Sequence, residues 1–264
     1  MKSTNREFFG ETAQPASFSE LINFISKPHP IWDDRVYMWR GQSDINWPVH
    51  SSAYRRLSQE KMQVTENDII HYEKSLLEQA THRGYRLYEG RLLSDMELLA
   101  RLQHHGAATR LVDFTRSALI ALWYTCFSTA NKNKTGVLIG FHSAFIGGYE
   151  SEPEVREYAE VMKEAERIEH PITWEPTLVS KRIASQHSQF LYSTLSTDKT
   201  GSLMFPGDYK NSVMVLSVTP KVKAECVSVL EQLFDIRYHT LFPDIDGFSE
   251  ANSHIMPEKY MFRW

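Results

Sequence analysis

The sequence predicts an α+β fold, with a small mixed or antiparallel sheet packed by several helices and a central apolar helix near residues 117–127. Helical patterns come first along the chain, and strand-like and helical runs mix afterwards. Strands do not alternate regularly with helices, which argues against a doubly wound sheet. The run SALIALWYTCF is apolar on nearly every side, so it belongs inside a core rather than on its surface.

Composition sets outer bounds. The chain has 264 residues, 42% hydrophobic and 23% charged, enough to bury a substantial core. A net charge of −4 and a pI near 6.3 argue against bulk electrostatic capture of nucleic acid or an anionic membrane. The longest apolar run is too short to span a bilayer, and the opening MKSTNREFFGE carries no signal region. A cytoplasmic protein without membrane contact is the resulting expectation. Cys126 and Cys226 lie far apart in apolar or amphipathic runs and are expected to be buried and reduced.

The elements follow in order. Ser17 and Glu20 have capping-box spacing and open a helix over FSELINFISK that Pro28 and Pro30 end. Residues 35–40, RVYMWR, read as a strand that Gly41 breaks. Asn67 begins a long amphipathic helix closed by Gly84. A second capping box, Ser94 with Glu97, opens MELLARLQHH, with Gly106 as the residue past its end. The chain then turns directly into the apolar helix, with Asp113 or Thr115 as its cap. NKNKT is a turn and GVLIGF a short buried strand. Residues 150–169 are highly charged and helical around REYAEVMKEAERI, either a solvated surface helix or a partner-binding insert. Residues 178–194 contain strand-like pieces around a polar centre. NSVMVLSVT is a strand. Residues 221–235 read as a helix with Leu230, Leu233 and Phe234 inward, and a Pro-Asp turn and short helix finish the chain.

Polar groups gather at WRGQ (residues 39–42), at QHHGAATRLVDFTR (residues 103–116) and at RIASQHSQF (residues 182–190). Arg40 beside Gly41 offers a guanidinium with an open approach, suited to phosphate or carboxylate, or else a structural partner for a buried acid. His104 and His105 point about 100° apart on a helix, so they do not serve one metal as an i, i+4 pair would. Arg110 and Asp113 lie within pairing distance on one face of a turn, and such a pair is as often architectural as functional. The third stretch suits a strand edge facing a cleft, or simply an exposed edge. GxSxG, P-loop, GxGxxG, HExxH and CxxC are missing, and no metal is implied.

At these clusters the chain resembles the FRG domain family, named for an aromatic-Arg-Gly motif. That motif stands here as WRGQSDINW, with Trp39 replacing the usual phenylalanine or tyrosine. The family's QHxGxxTRLLDWT motif stands as Gln103 to Thr115, and its RIxxQxGxF motif as RIASQHSQF, with Ser188 or Gln189 at the usual glycine. The tail LFPDIDG is also similar. The resemblance covers residues 35–255, with a charged insertion near 150–170. An N-terminal helical segment over 1–34 and a tail over 256–264 remain outside it.

Members are often found near bacterial defence and toxin genes, so the resemblance implies an anti-phage or toxin effector. Arg40 further resembles, in its setting, the first-strand arginine of Arg-Ser-Glu ADP-ribosyltransferases. Residues 185–190 would stand where their Ser-Thr-Ser strand lies. That implies NAD, a macromolecular acceptor, and a catalytic glutamate for which Glu231 and Glu250 are available. On this reading Arg40, Gly41, Gln42, Gln103 and Gln186 bind the nucleotide, Arg110 offsets phosphate charge, Asp113 positions it, and His104 takes part in catalysis. The alternatives are a metal-independent nuclease with His104 or His105 as acid or base, and a non-catalytic module sensing a nucleotide or phage protein through residues 150–170.

Overall fold

The computed structural model describes residues 2–27, 37–148, 154–177 and 180–262, and its fold is α+β. The chain opens with strands β1 (Lys2–Arg6) and β2 (Gly10–Gln14), followed by helix α1 (Phe18–Ile25). Strand β3 (Tyr37–Gln42) leads to α2 (Ser52–Leu57) and the long α3 (Glu66–His82). A separate hairpin of β4 (Leu87–Tyr88) and β5 (Arg91–Leu92) precedes α4 (Asp95–His104). Then come β6 (Val112–Thr115), α5 (Ala118–Cys126) and β7 (Gly136–His142). After α6 (Tyr158–Ala165) and β8 (Ile172–Trp174) stand α7 (Lys181–Ser185), β9 (Ser188–Tyr192), α8 (Tyr209–Ser212) and β10 (Val213–Val218). Helices α9 (Pro220–Leu233), α10 (Tyr238–Leu241) and α11 (Ile245–Ala251) complete the fold.

The main sheet has eight strands in the order β1-β2-β10-β7-β3-β6-β9-β8. It is mixed, because β2 runs parallel to β10 while the other neighbours are antiparallel. Strand β7 lies inside the sheet and every residue of it is buried, as expected of GVLIGF. Alternation sends Leu138 to one face, with Trp39, Leu216 and helices α5 and α9. Val137, Ile139 and Phe141 go to the other, with Met38, Phe114 and Phe205. Helix α5 is the central apolar helix. Its Ile120, Ala121, Leu122, Trp123 and Cys126 are all buried. Cys126 and Cys226 are buried free thiols. Among the described residues no helix is long and apolar enough to cross a membrane.

Several boundaries differ from expectation. Residues 2–14 form a hairpin on the main sheet, so the N-terminal segment is not simply helical. β1 is polar because it is the sheet's edge strand and mostly exposed, while β2 beside it is largely half-buried, with Thr12 buried. Helix α1 is capped by Ser17 as predicted and ends at Ile25, while Pro28 and Pro30 lie outside the described residues. Strand β3 continues through Gly41 instead of breaking there. Helix α3 starts earlier than Asn67, because Thr65 and Asp68 form a capping box.

The chain does not pass straight from α4 into α5. VDFT makes the short strand β6 between them, and Ser117, not Asp113 or Thr115, caps α5. Helix α6 is not a merely solvated helix. Tyr158, Val161, Met162 and Ala165 face a core built with α3 and α4. The strand-like reading of RIASQ fails, since Lys181–Ser185 is helical, capped by Ser180, and β9 lies inside the sheet with β8 at its edge. Leu230 is buried in α9, whereas Leu233 and Phe234 are 75% and 48% exposed, because that helix ends and its last turn leaves the core.

Candidate functional site

Strands β3, β6 and β9 are neighbours, and this brings the three sequence clusters together. Trp39 pairs with Thr115, Thr115 with Ser188, and Asp113 with Phe190. Paired residues point to the same face of a sheet, so these side chains share one wall. Helices α4, α5 and α7 and the ring of Phe242 close over that wall. The result is a cavity of about 330 Å³, at the small end for a ligand pocket. Arg40, Gly41, Gln103, His104, Asp113 and Gln186, singled out from the sequence, all line it.

Gly41 has a different reason from the one its place beside Arg40 suggests. A Cβ there would lie 1.9 Å from Ala121 O and 2.6 Å from Thr125 N, so the glycine lets α5 lie directly against β3. It opens the backbone to a helix, not to a ligand.

Beside the Trp39–Thr115 pair, the Arg40 guanidinium bridges β3 and β6. Its Nη1 donates to the Asp113 main-chain oxygen at 2.7 Å, and its Nε donates to Gln42 Oε1 at 3.2 Å. Gln42 is buried, donates to Trp47 O at 2.8 Å, and thus holds the guanidinium from behind. Burial pulls the Arg40 guanidinium down to about 10 against the opposing pull of Asp113, so it remains a cation at neutral pH.

The Asp113 carboxylate is exposed. Its Oδ1 accepts from Gln103 Nε2 at 2.7 Å, and Gln103 Oε1 in turn accepts from the buried Thr109 hydroxyl. This chain fixes which way the Gln103 amide points. Tyr124 from α5 faces the same cavity, and burial, with the nearby Asp113 charge, pushes its phenol well above the usual range. Thr115 donates to Gln186 O at 2.7 Å, while Gln186 Nε2 donates to Leu241 O at 2.9 Å. Gln186 is therefore tied to α10 as well as to the cavity.

His104 sits at the last turn of α4. Its Nε2 is 3.2 Å from Asp244 Oδ2, and its Nδ1 is 3.4 Å from Ser180 Oγ. Burial lowers its pKa, helped by the neighbouring Arg182 and His105, so the ring is neutral near pH 7. Arg182 holds Asp244 with two contacts, Nη2 to Oδ1 at 2.8 Å and Nε to Oδ2 at 2.7 Å. Burial alone would raise the Asp244 carboxyl, but Arg182 and the Gly247 N–H outweigh it and hold it below its usual range.

Arg110 is elsewhere. It does not pair with Asp113, because its side chain turns to Glu73 and Glu66 on α3 while Asp113, on β6, faces the cavity. Its Nε reaches Glu73 at 2.6 Å and its Nη1 reaches Glu66 at 2.8 Å. Tyr158 donates to the same Glu73 at 2.5 Å. Glu73 is fully buried and Arg110 nearly so. Burial would lower the Arg110 pKa, yet Glu73, Tyr158 and Glu66 more than reverse this. Arg110 thus ties β6 to α3 and α6.

The sequence reading missed Arg182 as a site cation, and it missed Tyr124 and Phe242. Arg182 stands inside a motif already noticed, but its role depends on Asp244, 62 residues further along. Glu231 and Glu250 do not line the cavity, and Asp113 is the carboxylate that does. His104 and His105 also come closer than their helical spacing suggests. His105 is the C-cap, its ring lies 4.7 Å from that of His104, and ligand atoms of both lie within 4.8 Å of each other and of Asp246.

No curated protein and no solved structure matches the chain. One family model does match, that of the FRG domain, over residues 35–134. This span holds β3, α4, β6 and α5, and with them Arg40, Gln103, His104 and Asp113. The chain carries an FRG domain there, and that domain supplies much of the cavity wall.

Proposed function

We propose that the cavity binds a nucleotide and that the protein acts as an NAD-dependent ADP-ribosyltransferase-like enzyme. The observation that carries this reading is one exposed carboxylate, Asp113, in an aromatic-walled cavity that also holds Arg40 and Arg182. Trp39, Phe190 and Phe242 offer flat apolar surface for a planar ring. Arg40 and Arg182 offset phosphate charge. The small volume suits one half of a dinucleotide, with the other half at the mouth.

NAD would supply an ADP-ribosyl group attached to a positively charged leaving group. Breaking that bond leaves positive charge on the ribose, and a fixed anion beside it lowers the barrier. Asp113 is such an anion, because Gln103 and Thr109 hold its orientation. Gln186, facing the same space, orients ribose hydroxyls or the amide. His104, backed by Asp244, lines the same space. Arg110 has no part in this reading, since it is buried against Glu66 and Glu73 and does not line the cavity.

Purified protein incubated with NAD is expected to release nicotinamide. Asp113→Asn should reduce the rate by about 10²-fold or more, the cost of removing one electrostatic stabiliser. Unchanged release by Asp113→Asn, or none by the wild type, would reject the assignment. RNA cleavage that needs His104 while NAD stays intact would favour the nuclease reading. The toxin or anti-phage role belongs to the same proposal. Expression in a bacterium should arrest growth, and Asp113→Asn should relieve the arrest.

A further inference from the structure

We propose that His104, His105 and Asp246 form a binding site for one divalent transition-metal ion of the zinc class. A ligand atom from each of the three lies within 4.8 Å of the other two. His105 Nδ1 and Asp246 Oδ2 are 3.4 Å apart. Metal–ligand bonds of about 2.0–2.2 Å place neighbouring tetrahedral ligand atoms about 3.3–3.6 Å apart. That pair already has the spacing of one tetrahedral edge. The ligand atom of His104 lies within 4.8 Å of both, and it must turn inward, giving up its contact with Asp244 or with Ser180, to complete the face.

The donor set is two imidazoles and one carboxylate. This mixture suits zinc, cobalt or nickel rather than magnesium or calcium, which prefer oxygen. Three protein ligands leave a further position for water or another ligand. His104 also lines the nucleotide cavity, so the ion would sit at its rim, where α4 meets α11.

The backbone around the site is held without the ion. Asp244 caps α11 through Gly247 N–H at 2.8 Å and is clamped by Arg182. The same carboxylate is 3.2 Å from His104 Nε2. These contacts fix the end of α4 against the start of α11, so the backbone is in place before the ion binds. The plain alternative is a solvent-exposed ion pair between His105 and Asp246, which are 57% and 56% exposed. Such a pair contributes almost nothing to stability and binds no ion.

The test is titration of chelator-treated, full-length protein with zinc by calorimetry and with cobalt(II) by visible absorbance. The proposal expects one ion per chain and a cobalt spectrum of low-symmetry, four- or five-coordinate type. His105→Ala and Asp246→Asn should each weaken binding by about ten-fold or more. Both residues are exposed, so these variants fold, and a melting curve taken without metal should match the wild type. His82→Ala, which removes a histidine on α3, should leave binding unchanged. Absence of binding would overturn the proposal. So would a stoichiometry and affinity unchanged in the His105→Ala/Asp246→Asn double variant. Neither outcome depends on nicotinamide release, so failure here leaves the NAD reading standing.

Discussion

Arg40 and Arg110 have the same side chain and opposite fates. Arg110 is buried among two glutamates and a tyrosine, and Glu73 has no exposure at all. Removing the cation leaves the buried Glu73 with hydrogen bonds from Tyr158 and the residue-110 N–H but without the guanidinium that offsets its charge. Arg110→Ala should therefore cost about 3–5 kcal/mol in urea unfolding. Arg40 gives up one hydrogen bond to a main-chain oxygen and one to Gln42. Arg40→Ala should cost only about 1–2 kcal/mol of stability but weaken nucleotide binding far more. Equal stability losses in the two variants would contradict this division. The adjacency of Arg110 and Asp113 in the sequence invited pairing, and nothing local marked the distant Glu66 and Glu73 as the true partners.

Two elements position the cavity, and each exposes a single residue to test. Helix α5 lies on β3 because Gly41 has no Cβ, and the Ala121 carbonyl occupies that space. Gly41→Ala must push a helix backbone away, and a loss of about 1–3 kcal/mol is expected in thermal unfolding. Helix α4 carries Gln103 and His104, and its start is held by Glu97. That carboxylate accepts from Ser94 N–H at 2.9 Å and from Arg91, with the Thr177 hydroxyl also donating to it. Burial would raise the Glu97 pKa, but these donors outweigh it, so the folded value lies below the ordinary 4.5. A depressed carboxyl stabilises the fold above its unfolded pKa, and this stability is lost as pH falls through the folded value. Glu97→Gln should thus cost about 1–2 kcal/mol at neutral pH, with the gap to the wild type closing as pH drops below 4.5. A gap independent of pH would contradict the capping role.

Elements with strong local signals were legible, and those set by neighbours were not. The Ser17 and Ser94 caps and the apolar run of α5 follow from residue spacing alone. The four-residue β6 is too short to show a period, and its apolar flanks merge with the helix after it. The polar strands β1 and β2 owe their form to pairing at the sheet's edge. RIASQ is helical because Ser180 caps it and its residues meet α10, which no local pattern announces.

At the scale of the whole molecule, the site is a product of strand order. Residues 40, 113 and 188 are far apart in sequence and meet because β3, β6 and β9 are adjacent in the eight-stranded sheet. The motifs therefore named much of the cavity wall, but only the fold could show that they form one wall. Helix α7 and the Phe242 ring close it, and although Arg182 lies in a legible motif, its pairing with Asp244, 62 residues further on, carries no local signal. The most direct test is a crystal structure of the protein with a non-cleavable NAD analogue. Density is expected in the cavity, with phosphate near Arg40 or Arg182 and the ribose beside Asp113. A bound analogue seated elsewhere, with this cavity unchanged, would contradict the central claim.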